Sequence, residues 1–164
     1  MTIRLEECTD WHTIYSIYAA SFGQSAEADL VRSMSSDGDL ILSLVAHADE
    51  PAGHIAYSHL GLHETPDVRA CVLAPLAVVR SFQKRGIGTA LVRHSLRHLT
   101  EAGYDLVVVL GEPDYYGRFG FDPKLAEQLK TPYDGPYLQA LALSDRGREA
   151  HGPVSYARAF AELK

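Results

Sequence analysis

Residues 73–110 restrict the fold more than any other stretch, because two apolar runs flank an amphipathic segment. Leu73–Val79 is apolar, Ile87–Ala102 repeats its apolar residues at helical spacing, and Leu106–Leu110 is apolar throughout. A period of about 3.6 residues indicates a helix with one buried face, and a short continuous apolar run is typical of a strand covered on both sides. Strand, helix and strand in this order predict a right-handed βαβ unit with two parallel strands.

The rest of the chain predicts further strands and helices in mixed order. Pro75 lies inside one strand, where its missing N–H predicts a bulge or an unpaired backbone position, and Asp49–Gly53 predicts the turn of a hairpin. A chain of 164 residues with 46% hydrophobic content can bury the core of one domain, predicted over residues 1–164 with an α+β fold and a mixed sheet. The predicted strands are Ile3–Glu6, Leu40–Ala46, His54–Leu60, Cys71–Val79, Leu106–Leu110, Tyr137–Leu143 and Val154–Phe160, and the predicted helices are Trp11–Ser21, Glu27–Met34 and Ile87–Ala102.

Composition argues against several classes of protein. No apolar run approaches the ~18 residues of a membrane helix, and the N-terminal residues lack the basic and then apolar pattern of a secretory signal. We therefore expect a cytoplasmic chain that does not bind membranes. The two cysteines, Cys8 and Cys71, lie far apart, and the eight histidines follow no ligand spacing. We expect neither a disulfide framework nor a metal site.

Glycines and positive charge meet where the first strand of the βαβ unit gives way to its helix. Gln83–Gly88 reads Gln-Lys-Arg-Gly-Ile-Gly, and residues 69–100 carry six basic and no acidic side chains in a chain of net charge −6. Glycines let a ligand approach the backbone, and the free N–H groups of a helix start attract anions. The pattern predicts a diphosphate site that uses Lys84 and Arg85. We assign Arg93 and Arg97 to a solvated helix face, and the acidic balance argues against nucleic-acid binding.

Two other phosphate-binding motifs do not fit these residues. A Walker A loop places Lys and then Ser or Thr directly after its last glycine, whereas Thr89 and Ala90 follow Gly88. A dinucleotide fingerprint requires Gly or Ala three positions after Gly88, where Leu91 stands. Neither ATP nor NAD is the predicted ligand.

Two motifs together resemble the GNAT superfamily of N-acetyltransferases. Gln83–Ala90 is similar to its Q/R-x-x-G-x-G/A motif, and Tyr116–Phe121 is similar to its Tyr-x-x-x-Gly-Phe signature. Leu76–Val78 ahead of the first motif and Val108–Pro113 after the helix most resemble the YhbS-type group of predicted acetyltransferases. The resemblance implies a single GNAT-like domain, in which a mixed twisted sheet flanked by helices has two splayed central parallel strands, here expected at 71–79 and 106–110.

The resemblance also implies that acetyl-CoA binds as co-substrate between the splayed strands. The backbone amides of Arg85–Thr89 would hold the pyrophosphate, and the backbone of Ala77–Val79 would pair with the pantetheine arm like an added strand. The residues implied in cofactor binding are Ala77, Val78, Val79, Lys84, Arg85, Gly86, Ile87, Gly88 and Thr89.

The implied reaction is N-acetyl transfer, in which a primary amine attacks the thioester directly in a ternary complex. The backbone N–H of Val78 would stabilise the oxyanion, and Tyr116 would protonate the leaving thiolate, with Tyr115 as second choice. The Asn that many relatives carry before this tyrosine is absent, and Cys71–Val79 holds no ionisable group except its cysteine. The general base is therefore unassigned, and His54, His59, His63 and Glu64 are the side chains considered for it.

The residues leave several alternatives open. The chain could be a non-catalytic acyl-CoA-binding sensor or interaction module, or a phosphate or nucleotide sensor that uses the same loop. The acceptor could be a small amine, an amino acid, an antibiotic, or a protein N-terminus or lysine, and the acidic residues Glu27, Asp29, Asp37 and Asp39 favour a cation by long-range attraction or simply aid solubility. A homodimer is also left open.

Overall fold

The computed structural model describes residues 1–162, which form two compact units. The first consists of residues 1–58, residues 74–96 and the chain from residue 158 onward, and the second of residues 59–73 and 97–157. The expectation of one domain over 1–164 stays a prediction. Among the described residues, no helix is long and apolar enough to span a membrane. The strands are β1 (Thr2–Leu5), β2 (Leu40–His47), β3 (Pro51–Leu62), β4 (Ala70–Val78), β5 (Leu106–Leu110), β6 (Leu129–Lys130), β7 (Leu138–Ala142) and β8 (Gly152–Ser155), and the α-helices are α1 (Trp11–Phe22), α2 (Ala26–Asp37), α3 (Ile87–Glu101), α4 (Pro113–Tyr116) and α5 (Pro123–Ala126).

The first unit is built on the strand order β1-β2-β3-β4. β1 pairs antiparallel with β2, and β2 pairs antiparallel with β3 in the predicted hairpin. Helices α1 and α2 each end at a glycine with positive φ, Gly23 and Gly38, which closes the helix without steric strain. Because one face of each helix is apolar, both helices bury that face. The buried core cluster of this unit consists of Ile14, Ile17, Tyr18, Ala28, Val31, Val45, Ala56 and Ala77.

The second unit contains the parallel strand pair that the sequence predicts. Ala70–Leu73 of β4 pairs in parallel register with Leu106–Val109 of β5, and this register ends before Pro75. β5 then pairs antiparallel with β7, while β8 pairs with the end of β3 and with β6. The five-residue strand β5 coincides with its predicted bounds, because its continuous run of Leu and Val has no other way to bury every side chain.

The prediction of a strand at Val154–Phe160 is wrong over most of its length. Only Val154 and Ser155 belong to β8, and Arg158–Glu162 forms a 3₁₀ turn. Large and small residues alternate here, which is a strand pattern, yet the buried positions are the small Ala157 and Ala159. Small residues allow the tighter turn to pack, and the short helices α4 and α5 and strand β6 carried too few residues to show a period.

A charged pair holds β1 to the turn that follows it. The buried carboxylate of Asp10 accepts hydrogen bonds from both terminal nitrogens of Arg4, at 2.7 and 2.8 Å, and from the N–H of Glu7 at 2.7 Å. The hydrogen bonds from Arg4 lower the pKa of Asp10 to about 2. The ionised carboxylate therefore stabilises this corner of the first unit.

Replacing Asp10 by Asn is expected to lower the free energy of unfolding by about 1–2 kcal/mol at pH 7, a value reduced because Arg4 is partly exposed. A depressed pKa stabilises the fold fully above the unfolded-state pKa of ~4 and loses this effect as the pH falls through about 2. Urea unfolding of both proteins between pH 7 and pH 2 tests this. A difference that stays constant over that range would contradict it.

Candidate active site

The loop between β4 and α3 turns at two residues with positive φ. Lys84 has φ 64° and Gly86 has φ 81°, both in the left-handed region. A Cβ added to Gly86 would meet no heavy atom within 4 Å, so the backbone conformation, and not crowding, favours glycine there. The side chain of Gln83 donates from Nε2 to the carbonyl oxygen of Val78 at 3.0 Å, which ties this loop to the end of β4.

Helix α3 begins directly after this turn and presents free donors. Its first hydrogen bond runs from the N–H of Ala90 to the carbonyl oxygen of Gly86, at 3.0 Å. The N–H groups of Ile87, Gly88 and Thr89 precede that bond and have no acceptor within the helix. Three backbone donors at the positive end of a 15-residue helix form a cradle suited to a phosphate group.

Cationic side chains surround the cradle. Lys84 and Arg85 are exposed, and the Arg85 guanidinium lies 5.4 Å from the ring centroid of the buried Phe82. A cation over an aromatic face is attracted to it, so Phe82 restrains the direction of Arg85. The cradle therefore combines neutral backbone donors with two charges of the sign a diphosphate requires.

The end of β4 lies unusually close to β3. A Cβ added to Gly53 would lie 3.0 Å from the carbonyl oxygen of Ala77, and the N–H of Val79 donates to the carbonyl oxygen of Ala52 at 2.8 Å. Ala77 is buried, while Val78 and Val79 are half-buried. Gly53 thus sets the position of the strand end expected to bind the pantetheine arm. The sequence analysis treated Gly53 only as a turn residue, because a glycine after Glu-Pro-Ala is typical of a turn.

Tyr116 ends helix α4 in the second unit. Its half-buried ring makes edge-to-face contacts with Tyr115 and Phe121, at centroid distances of 5.0 and 5.7 Å. Burial raises the pKa of Tyr116 to about 12, with a smaller effect from Tyr115. The phenol therefore keeps its proton throughout the neutral range, as a proton donor must.

Two residues that the sequence analysis missed fix the ground beneath Tyr116. A Cβ on Gly111 would collide with the Cε2 and Cδ2 atoms of Tyr116, so the ring lies directly against the bare Cα. Gly111 donates its N–H to the carbonyl oxygen of Tyr137 at 3.0 Å and accepts at 3.1 Å from Nε2 of the fully buried Gln139. A glycine directly after a buried strand is the only sequence signal for this contact.

The structure brings some of the predicted site residues together. Ala77–Val79 and Lys84–Thr89 form one continuous segment of the first unit, joined by the hydrogen bond from Gln83 to Val78. Tyr116 belongs to the second unit and is described by its own surroundings. The binding and catalytic roles of all these residues stay predictions.

Gly111→Ala is expected to destabilise the protein by about 1–3 kcal/mol, because the added methyl group has to displace the ring of Tyr116. Gly117→Ala is the matched control: a Cβ there meets no heavy atom within 4 Å, so its effect should stay within ~0.5 kcal/mol. Urea unfolding measures both. Equal effects of the two substitutions would contradict the contact.

Comparison with known proteins places most of this chain in one family. The profile of the acetyltransferase (GNAT) family matches residues 9–121. The uncharacterized N-acetyltransferase YhbS of Escherichia coli K12 is 37% identical over 137 residues, which cover 82% of this chain and 81% of YhbS. The uncharacterized N-acetyltransferase YjhQ of the same strain is 35% identical over 142 residues, covering 83% of this chain and 76% of YjhQ.

Two solved structures match nearly the full length of the chain. YhbS from Escherichia coli in complex with CoA superposes with a TM-score of 0.90 at 33% identity and covers 99% of this chain and 93% of its own. A GNAT family acetyltransferase from Brucella melitensis in complex with acetyl-CoA gives a TM-score of 0.81 at 32% identity, with 97% of each chain covered. These similarities confirm the predicted α+β fold, an open mixed sheet flanked by helices.

Proposed function

Because the chain belongs to the acetyltransferase (GNAT) family, we propose that it transfers the acetyl group of acetyl-CoA to a primary amine. The observation that carries the proposal is the cradle of free N–H groups at Ile87–Thr89, formed behind two left-handed residues. Its relatives YhbS and the Brucella melitensis enzyme were solved with CoA and acetyl-CoA, respectively. Both are more than 30% identical to this chain, which supports the same co-substrate here.

The residues of the loop fit the chemistry of this co-substrate. The N–H groups of 87–89 would donate to the pyrophosphate oxygens, and Lys84 and Arg85 would offset their charge. The backbone of Ala77–Val79 would hydrogen-bond to the amides of the pantetheine arm. Because these contacts use main-chain groups, we expect substitutions that preserve backbone geometry to leave binding intact.

Transfer then requires a neutral amine, a stabilised oxyanion and a proton for the leaving sulfur. The amine attacks the thioester carbonyl, and the N–H of Val78 stabilises the oxyanion. A phenol of pKa about 12 does not by itself protonate a thiolate, since thiols have a pKa of ~8.5. We infer that Tyr116 gives its proton to the sulfur while it receives the one that the acylated nitrogen releases. The phenol thus stays neutral, and the amide and CoA thiol leave as products.

Saturating acetyl-CoA is expected to raise the Tm of the protein by about 5 °C or more, whereas ATP and NAD should not. Gly86→Ala should lose most of this shift, because a left-handed alanine is strained by about 1–2 kcal/mol and relaxation would turn the N–H groups away. Thermal-shift measurements with each ligand test the proposal.

The control for this variant is Gly38→Ala. Gly38 has φ 78°, close to the 81° of Gly86, and a Cβ there also meets no heavy atom within 4 Å. Both variants should lose similar stability without ligand, while only Gly86→Ala loses the response to acetyl-CoA. Stabilisation of the wild-type protein by ATP or NAD, but not by acetyl-CoA, would remove the proposal.

Tyr116→Phe is expected to lower kcat by about 100-fold, the size of effect typical of a lost general acid, and to leave the acetyl-CoA thermal shift within ~1 °C. Tyr115→Phe should retain most of the turnover. Release of CoA thiol is measured with a panel of amines: spermidine, lysine methyl ester, kanamycin and a lysine-containing peptide. Unchanged turnover of Tyr116→Phe would rule out its role as acid.

A second candidate function is acyl-CoA binding without turnover. It is favoured by β4, where Cys71 is the only ionisable side chain and burial raises the pKa of its thiol well above the usual range. Such a protein would show the acetyl-CoA thermal shift but release no CoA thiol with any amine of the panel. The two assays therefore separate the candidates.

A further inference from the structure

A chain of buried polar side chains crosses the first unit and takes no part in the chemistry above. His54 on β3 is fully buried, and both of its ring nitrogens have partners: Nδ1 lies 2.7 Å from the hydroxyl oxygen of Tyr18, and Nε2 lies 2.7 Å from Oγ of Ser43. Ser43 in turn donates to Oε1 of Glu6 at 2.7 Å. We call Glu6, Ser43, His54 and Tyr18 the polar chain.

The hydrogen bonds of the polar chain all point the same way. Hydrogen bonds from His54 and Ser43 keep the pKa of Glu6 low against its partial burial, so its carboxylate only accepts. Ser43 gives its proton to Glu6 and must therefore accept from Nε2–H of His54. Burial lowers the pKa of His54, so the ring is neutral and Nδ1 accepts from Tyr18. This assignment commits the hydroxyl proton of Tyr18 to His54.

Glu27, on the first turn of α2, lies at the Tyr18 end of the polar chain. Its neighbour Ala28 packs in the same core cluster as Tyr18, and the charge of Glu27 raises the pKa of the buried phenol more than that of Glu6 does. Gln24 donates to Oε1 of Glu27 at 3.1 Å. The other oxygen, Oε2, is buried and has no hydrogen-bond partner among the described residues.

An unpartnered buried carboxylate oxygen is unfavourable, and the polar chain explains why Tyr18 does not relieve it. Tyr18 has one proton, which His54 accepts, so toward Glu27 the phenol offers only lone pairs. Two acceptors facing each other are satisfied once a proton comes between them. Protonation of Glu27 would supply that missing partner, and a hydrogen-bond chain that ends on an anion strengthens the phenol oxygen as its acceptor.

The reaction needs such a group. An alkyl ammonium has a pKa of ~10 and must lose a proton before it can attack, yet β4 offers no base. We propose that Glu27 is the general base for a cationic amine acceptor and that the polar chain is the positioning device that makes it basic. This inference rests on the proposed acetyl transfer. Glu27 is half-buried on α2, so its carboxylate is open to a ligand on one side.

The protons balance over one turnover. An N–H bond of the ammonium breaks, its electron pair stays on nitrogen, and an O–H bond forms on Glu27, which later releases this proton to water. The second proton lost by the nitrogen ends on the sulfur. Ammonium and acetyl-CoA thus give amide, CoA thiol and one free proton.

The groups that face Glu27 and the polar chain bound the pH dependence. They are Tyr18 on α1, His54 on β3 and Glu6 after β1, with Asp10 held by Arg4 close enough to raise the pKa of His54. Asp29 on α2 instead accepts from Tyr15 and Ser25. Because Asp10 and Glu6 are both ionised near neutral pH, a single base should set the acidic limb of the rate profile.

The test uses the full chain and whichever amine of the panel the wild-type protein acetylates fastest. Glu27→Gln should lower kcat/KM for the amine at least 100-fold at pH 7 with an unchanged acetyl-CoA thermal shift, and this deficit should shrink at least tenfold by pH 10, where the amine arrives neutral. Glu27→Asp, which keeps the carboxylate, should recover at least tenfold of the loss.

The positioning role is tested with two buried tyrosines. Tyr18→Phe should lower kcat about tenfold and move the acidic limb of the profile. Tyr57→Phe is the matched control: Tyr57 is also fully buried, and its hydroxyl lies 2.7 Å from Oγ of Ser95, outside the polar chain. It should lose comparable stability, about 1 kcal/mol, with kcat within twofold of the wild-type protein.

Each outcome decides the matter. If Glu27→Gln turns over like the wild-type protein, or its deficit persists unchanged at pH 10, Glu27 is not the base although acetyl transfer stands. If Tyr57→Phe slows turnover as much as Tyr18→Phe, the polar chain is merely structural and the positioning role is wrong; if Tyr18→Phe does not fold, Ser43→Ala, judged against Ser43→Thr, takes its place. If the wild-type protein binds acetyl-CoA but acetylates no amine, the proposed function and this inference fall together.

Discussion

The left-handed backbone at Lys84 and Gly86 is the constraint on which the candidate site depends. It stops β4, reverses the chain and leaves the first N–H groups of α3 without acceptors. An open helix start in water would be satisfied by solvent, but here two exposed cations and a restraining Phe82 ring surround it. The same turn therefore ends a strand, begins a helix and prepares an anion site, so a single glycine carries both a folding and a binding requirement.

Unsatisfied polar atoms distinguish the working parts of this molecule from its supporting core. Most buried polar groups are paired, as Tyr57 is with Ser95 and His54 is with Tyr18 and Ser43. Where a buried oxygen lacks a partner, its surroundings differ: at Gln139 the amide group spends its donor on Gly111 beneath Tyr116, and at Glu27 the adjacent phenol gives its proton elsewhere. In both places the fold retains an unfavourable polar atom beside a residue with a proposed chemical role.

What the sequence could predict follows from how far each signal extends along the chain. The βαβ unit, the antiparallel hairpin and the helix face at Ile14, Ile17 and Tyr18 repeat over many residues, and the structure confirms them. The strand expected at Val154–Phe160 rested on seven residues, whose alternation a 3₁₀ turn reproduces by burying its small side chains. The contacts of Gly53 and Gly111 depend on residues distant in sequence, which no local pattern encodes.

The same reasoning explains why the co-substrate is easier to derive than the acceptor. Main-chain groups in a fixed turn would grip a diphosphate, and such a turn requires glycine at set positions, so a short motif reveals it. Recognition of the amine would rest on side chains from separate elements: Glu27 on α2, with Tyr18, His54 and Ser43 on α1, β3 and β2. Each looks ordinary in its own segment, since a serine in a strand or a glutamate at a helix start has routine structural uses. Only their hydrogen-bond directions, read from one end to the other, single out the carboxylate left without a proton.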